Sequence, residues 1–276
     1  MKLDIHLVEE PADYWAVEEI SKAAWSLDDY REVIPAHLMI TFQQNGGLLL
    51  GAWLDGKLVG FSIGFIGLTE DGTATNGRVK FCSEQLGVLP EYQSYNIGYQ
   101  MKLAQREYLL ARGINHATWT YDPLETKNGN LNLHKLGAIC NTYYINLYGT
   151  AAGINAGLPT DRFQVDWWLD SQHVTGRLEG ASPHTLDDLR DAGVPIINPA
   201  QGVPHPRPAG AIIPPGHSRL LMQVPASIRT LKQADPELAH TWRLHTRDLF
   251  ISLFAQGYKV TDLLYTPEAC YYLLER

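Results

Sequence analysis

The chain has 276 residues, 45% of them hydrophobic and 19% charged, with a formal net charge of −8 at pH 7. This is a globular composition with enough apolar surface for one large domain or two small ones. The acidic balance argues against a duplex nucleic-acid binder, which needs clustered Lys and Arg to neutralise phosphates. The three cysteines, Cys82, Cys140 and Cys270, are odd in number and lack metal-ligand spacing, so a reducing, cytoplasmic compartment is expected. None of the ten histidines falls in a His-Glu-x-x-His or Cys-x-x-Cys context, and no metal is expected.

Residues 1–11 contain acidic side chains and no long apolar stretch, so they read as a first strand and not as a signal peptide. Residues 4–8 predict that strand, and 12–25 predict an amphipathic helix with Val17, Ile20 and Ala24 at helical spacing. A second helix over 35–44 ends at Gly46-Gly47. The apolar runs 48–54 and 58–68 flank Asp55-Gly56, a dipeptide suited to tight hairpin turns, and predict an antiparallel hairpin. The second run falls short of the roughly 20 apolar residues that span a bilayer, so no membrane contact is expected. A strand over 79–88 precedes a helix over 96–112, with Ile97, Met101, Ala104, Tyr108 and Ala111 on its apolar stripe and Gly113 as stop signal. A strand over 117–121, a short helix over 128–136 and a strand over 138–147 follow.

After Gly149 the regular alternation ends. A strand over 163–169 leads to the connector 194–216, which holds seven prolines and reads as extended chain. A strand over 220–224 is expected next. A long helix over 235–255 then has Asp235 as N-cap, Pro236 at its first position and Gly257 beyond its end. Strands over 258–265 and 270–274 close the chain. One long helix and a Pro-rich connector are few regular elements for an independent domain, so 150–276 is expected to be an attachment packed on a core of residues 1–149.

The chemistry points to residues 84–102, E-Q-L-G-V-L-P-E-Y-Q-S-Y-N-I-G-Y-Q-M-K. A strand, a turn at Pro90, a polar loop and a helix start can aim several backbone N–H groups at one anion, reinforced by the helix dipole. An ordinary strand-to-helix connection uses the same residue types.

This stretch resembles the GNAT acyltransferases, which place Arg/Gln-x-x-Gly-x-Gly/Ala between strand and helix after Leu-x-Val-x-Pro-x-Tyr. Leu86-Gly87-Val88-Leu89-Pro90-Glu91-Tyr92 matches the lead-in, and Gln93 and Gly98 match the loop. Asn96 stands where the first Gly is usual, and Asn tolerates left-handed backbone better than most residues. Leu133-His134-Lys135-Leu136-Gly137 resembles the later helix end, with Leu133 replacing the Tyr that often serves as general acid. The combination Asp122-Pro123-Leu124, Asn128, Leu131-Asn132, Lys135-Leu136-Gly137-Ala138, Asn146-x-Tyr148-Gly149 and Gly157-Leu158-Pro159-Thr160-Asp161-Arg162 is similar to a GNAT subgroup with an extended C-terminal region. Some members of that subgroup are associated with N-acyl, especially N-succinyl, amino acid metabolism.

The resemblance implies a mixed α/β (α+β) fold, a mostly antiparallel central sheet flanked by helices, with a C-terminal α/β extension. It implies acyl-CoA as cosubstrate and a small-molecule amine as acceptor; a homodimer is compatible with it. Leu86, Gly87 and Val88 would pair with pantetheine, and Gln93, Ser94, Asn96, Ile97, Gly98 and Tyr99 would surround the pyrophosphate. Asn128 and Asn132 would orient pantetheine or acceptor amides. Glu84, which shares a strand face with Leu86, is the expected general base. Tyr143, Tyr144 and Tyr148 are candidates for the general acid, Tyr143 and Tyr148 foremost. Arg162, Arg243 and Arg247 offer guanidinium forks for a carboxylate on acceptor or acyl group, the last two being four apart on one helix. Two other readings remain open: a non-catalytic acyl-CoA-binding protein, and an enzyme acylating protein or peptide termini.

Overall fold

The computed structural model describes residues 2–69, 79–149, 157–180, 184–202, 205–212, 216–266 and 268–276. They form a mixed α/β fold whose strands pair mostly antiparallel. The chain divides into two compact units. One runs up to Trp119 and includes Trp168–Asp170; the other holds the remaining described residues from Thr120 onward.

The first unit is built from β1 (Leu3–Leu7), α1 (Pro11–Trp25), α2 (Ala36–Gln44), β2 (Leu48–Leu54), β3 (Lys57–Leu68), β4 (Val79–Val88), α3 (Ile97–Leu110) and the start of β5 (His116–Tyr121). The strand order is β1-β2-β3-β4-β5, antiparallel up to β4 and parallel between β4 and β5. Asp55 and Gly56 take φ of 49° and 84°, the geometry the β2–β3 turn requires. Val17, Ile20, Met39, Leu49, Phe61 and Ile63 form a buried cluster joining α1 and α2 to the sheet. Each such side chain contributes roughly 1.5–3 kcal/mol on burial.

The sheet-facing stripe of α3 differs from the expected one. Ile97, Met101, Gln105 and Leu109 are buried together with Lys102, whereas Ala104 and Tyr108 are half-buried and Ala111 is exposed. Two polar residues displace apolar ones because they find hydrogen-bond partners inside.

The second unit contains α4 (Thr126–Gly129), β6 (Ile139–Tyr144), β7 (Arg162–Trp168), α5 (Gln172–Leu178), α6 (Leu186–Asp191), β8 (Ala200–Gln201), β9 (Arg207–Pro208), β10 (Arg219–Pro225), α7 (Ile228–Ala234), α8 (Pro236–Ala255), β11 (Lys259–Tyr265) and β12 (Ala269–Glu275). Trp168 at the end of β7 is counted with the first unit. The order is β7-β6-β11-β12-β10, all antiparallel. Among the described residues, four helices therefore follow Gly149 where one was expected. Those missed are only six or seven residues long, too short to show periodicity, but each is capped: Ser171, Thr185 and Ser227 accept the N–H of Val174, Asp188 and Thr230. Leu189, Leu221, Leu264 and Leu273 give this unit its own apolar cluster.

Asp235 caps α8 as expected, accepting from the Leu238 N–H at 2.9 Å. The expected single short helix over 128–136 is instead α4 followed by a π-helical turn, Asn130–Lys135, with Leu136 N–H donating to the Leu131 carbonyl. In the Pro-rich connector, Asn198 makes reciprocal hydrogen bonds with Gln223 of β10, and the Pro206 carbonyl accepts from Trp242 Nε1 of α8. Among the described residues no helix is long and apolar enough to cross a membrane, and no group of three or more His, Cys, Asp or Glu is placed to hold a metal.

Candidate functional site

The distinctive geometry of the first unit is in β4. It pairs with β5 at Phe81–Ala117 and Cys82–Thr118, and no further register joins the two strands among the described residues. Along β3 the register skips: Ile63 faces Gln85, but the next residue, Gly64, faces Ser83. Glu84 is therefore the extra residue of a β-bulge, which bends and twists β4 where it leaves β5. From Glu84 to Val88 one edge of β4 is paired with β3, and no strand pairs with the other among the described residues. An extended ligand segment can hydrogen-bond to such an edge.

Glu84 is exposed to solvent on one side, yet the protein around it partly desolvates its carboxyl and raises it above the ordinary carboxylate value. Leu86 is half-buried, and Gly87 and Val88 are buried. A Cβ on Gly87 would lie 2.7 Å from Phe61 Cε1 and 2.9 Å from Trp25 Cζ3, so only glycine fits beneath α1 without moving two aromatic rings.

Beyond Val88 the chain makes a short 3₁₀ helix, Pro90–Tyr95, and enters α3 through Asn96. Asn96 has φ 58° and ψ 20°, the left-handed conformation for which glycine is the usual choice. The substitution at this position thus preserves the backbone path. Gln93 Nε2 donates to the Val88 carbonyl at 3.1 Å, tying the turn to the strand. Gln93, Ser94 and Asn96 are exposed, Gly98 and Tyr99 half-buried, and Ile97 buried as the anchor of the helix start. This 14-residue helix starts without a side-chain cap hydrogen bond, and the positive end of its dipole is a setting that suits phosphate.

The second unit gathers the other candidates. Arg243 on α8 is fully buried and paired with Asp122, while its Nε and Nη1 have no hydrogen-bond partner among the described residues. Burial disfavours the Arg243 charge, but Asp122, with Tyr143 and Asp161 behind it, outweighs that and holds the group above its ordinary value. Arg162 Nη1 lies 3.9 Å from the same carboxylate, and its guanidinium faces the Tyr148 ring at 5.2 Å. Arg247 is engaged otherwise: Nε and Nη2 fork onto Asp161 at 2.8 Å each. Tyr143 donates its hydroxyl to Asp161 at 2.7 Å, and burial followed by that carboxylate drives the phenol well above its ordinary value. Tyr148 has an exposed ring with its hydroxyl 3.0 Å from Thr120 Oγ1, and the Tyr144 hydroxyl reaches Gln164 at 3.2 Å. Asn128 is exposed on α4, Asn132 is buried in the π-helical turn, and Leu133 is fully buried.

Asp122 and Asp161, which organise the arginines, were quoted from the sequence only within motifs and were given no role. The adjacency of Asp161 and Arg162 at the start of a strand was the available signal. Burial alone would raise the Asp161 carboxyl, but hydrogen bonds from Arg247, Tyr143 and the Asn146 N–H outweigh it and hold the group below its ordinary value. A carboxyl depressed on folding adds stability that is present above its unfolded value and lost as pH falls through the folded one. Arg247→Met should therefore move acid unfolding to higher pH, followed by circular dichroism; an unchanged acid midpoint would show that the fork contributes nothing.

No family model and no curated protein sequence matches the chain. Solved structures similar to it include the ribosomal-protein-S18-alanine N-acetyltransferase from Escherichia coli, 18% identical over 62% of this chain and 96% of that one, with a TM-score of 0.48. An N-acetyltransferase from Staphylococcus aureus is 14% identical over 62% and 100%, with a TM-score of 0.48. The acetyltransferase of GNAT family from Streptococcus pneumoniae is 16% identical over 60% and 98%, with a TM-score of 0.47. At these values the likeness does not by itself decide the family.

Proposed function

We propose that this chain is an acyl-CoA-dependent N-acyltransferase of the GNAT type, moving an acetyl or succinyl-type group to the amine of a small molecule, with an amino acid as the favoured acceptor. The observation that carries this reading is the continuous stretch from Glu84 to Gly98, in which a bulged strand with one open edge leads through a left-handed Asn96 into a helix N-terminus. An open strand edge suits the amide-bearing pantetheine arm, and the helix start suits the pyrophosphate. Leu86, Gly87 and Val88 would serve the first, and residues 93 to 99 the second. Asn128 and Asn132, which lie in the second unit, take no part in this reading.

In the reaction the amine nitrogen attacks the thioester carbonyl, a C–N bond forms, the C–S bond breaks, and the amine gives up a proton. Glu84 would accept that proton, and its raised carboxyl makes it a stronger base than an ordinary surface carboxylate. Backbone N–H groups on the open edge would stabilise negative charge on the carbonyl oxygen. Leu133 has no proton to donate, and Tyr143 commits its own to Asp161. A thiol with a pKa of about 8.5 departs as thiolate readily enough to take its proton from water. Within the second unit, Arg247 is already forked onto Asp161, whereas Arg243 keeps two nitrogens without a hydrogen-bond partner among the described residues.

A thiol-release assay with acetyl- and succinyl-CoA against amino acids and simple amines tests the reading. Amine-dependent release is expected, and Gly98→Val should weaken CoA binding by about tenfold or more, because a branched side chain keeps the phosphate from the backbone. Unchanged CoA affinity in a folded variant would remove the loop from the site. The second reading, a non-catalytic acyl-CoA-binding protein, is favoured by the fully buried Leu133. It predicts CoA binding by calorimetry with no release for any amine.

A further inference from the structure

Lys102 lies under the point where β4 and β5 part. Its Nζ donates to Ser83 Oγ at 2.9 Å and Gln105 Oε1 at 3.1 Å, and lies 3.6 Å from the centroid of the Trp119 ring. Ser83 and Trp119 each follow directly on the last paired residues, Cys82 and Thr118. Gln105 Nε2 continues the network to Ser62 Oγ on β3 at 3.1 Å and to Ser83 Oγ at 3.3 Å. Ser62, Ser83, Lys102 and Gln105 are all buried. One amine therefore touches both strands at their fork, and its contact on β4 is the residue just before the bulged Glu84.

We propose that Lys102 is a positioning residue for acyl transfer: by gripping Ser83 against Trp119 it sets the β4 bulge that presents Glu84, and its charged and neutral forms set that bulge differently. The role in transfer rests on the N-acyltransferase reading, whereas the grip on the bulge does not. An ammonium has three donors and is attracted to the face of an indole ring. A neutral amine loses that attraction and gains a lone pair to which the Ser83 hydroxyl can donate instead. Burial penalises the ammonium and brings the amine down to about 7, so both forms are populated near neutrality. The titratable groups on the elements packed around it are Lys80, Cys82 and Glu84 on β4, Tyr99, Arg106, Glu107 and Tyr108 on α3, and His116 and Tyr121 on β5, with Lys57 at the start of β3.

The test is a pH titration of the ¹⁵N-labelled full chain by NMR, with kinetics on the same proteins. The Ser83 and Glu84 amides should shift with a common midpoint near 7 in the parent. That shift should vanish in Lys102→Met and persist in His116→Gln, which separates the amine from the imidazole. In thiol release, Lys102→Met should lower kcat about tenfold, as expected when a reacting group is displaced by a fraction of an ångström, and abolish the step in kcat near neutrality. CoA affinity should stay within about twofold. Amides that do not titrate, a midpoint that survives Lys102→Met, or kcat and CoA affinity falling together at every pH would overturn the proposal. If Lys102→Met does not fold, Ser83→Ala decides, since loss of the gripped hydroxyl should move the Glu84 amide midpoint and an unmoved one sinks the idea. A parent that titrates as described but releases no thiol would refute the enzymatic reading and leave the grip on the bulge intact.

Discussion

Glu84→Gln is expected to lower the acyl-transfer rate by about 10²–10⁴-fold while CoA affinity changes by about twofold at most. The substitution preserves the shape of the side chain and the bulge, so the strand edge and the loop that would hold the donor are unaffected. What is lost is the lone pair that takes the amine proton. Because desolvation raises the Glu84 carboxyl, the parent should lose activity as pH falls through that raised value, the protonated carboxyl being no base. The Gln variant should lack this acid limb. Pre-steady-state thiol release at saturating acyl-CoA is the measurement, and a Gln variant within about twofold of the parent would take Glu84 out of the role.

Arg243→Met should destabilise the protein by about 3–5 kcal/mol, the range for removing one member of a buried ion pair. Arg243 is fully buried against Asp122, and the methionine would leave that carboxylate beside an apolar side chain without its main partner. Arg162 stands 3.9 Å from Asp122 and softens the loss without replacing the contact. Urea unfolding measures it, and the double variant Asp122→Asn/Arg243→Met should recover much of the stability because neither charge is then stranded. A loss under about 1 kcal/mol would show that water reaches the pair. Three arginines and two aspartates, Asp122 and Asp161, meet in this cluster, one positive charge in excess, and two Arg243 nitrogens have no partner among the described residues. A further carboxylate bound to the second unit would satisfy both conditions.

Signals carried by a few neighbouring residues were legible in the sequence alone. The Asp55-Gly56 turn, the full extent of β4, the Asp235 cap with Pro236 behind it, and the left-handed tolerance of Asn96 follow from turn chemistry, alternation and capping, which are local properties of the chain. What depended on partners distant in sequence was not. The bulge at Glu84 exists only relative to the register of β3, some twenty residues earlier in the chain. Lys102 and Gln105 are buried because Ser62 and Ser83 satisfy them, and without those partners helix periodicity favours the apolar Ala104 and Tyr108. Arg243 and Arg247 share one helix and one spacing, and look alike in sequence. The fold separates them: Asp161 takes up the fork of Arg247, whereas Asp122 occupies one Arg243 nitrogen and leaves two without partners among the described residues, since a guanidinium offers more donors than one carboxylate can accept from.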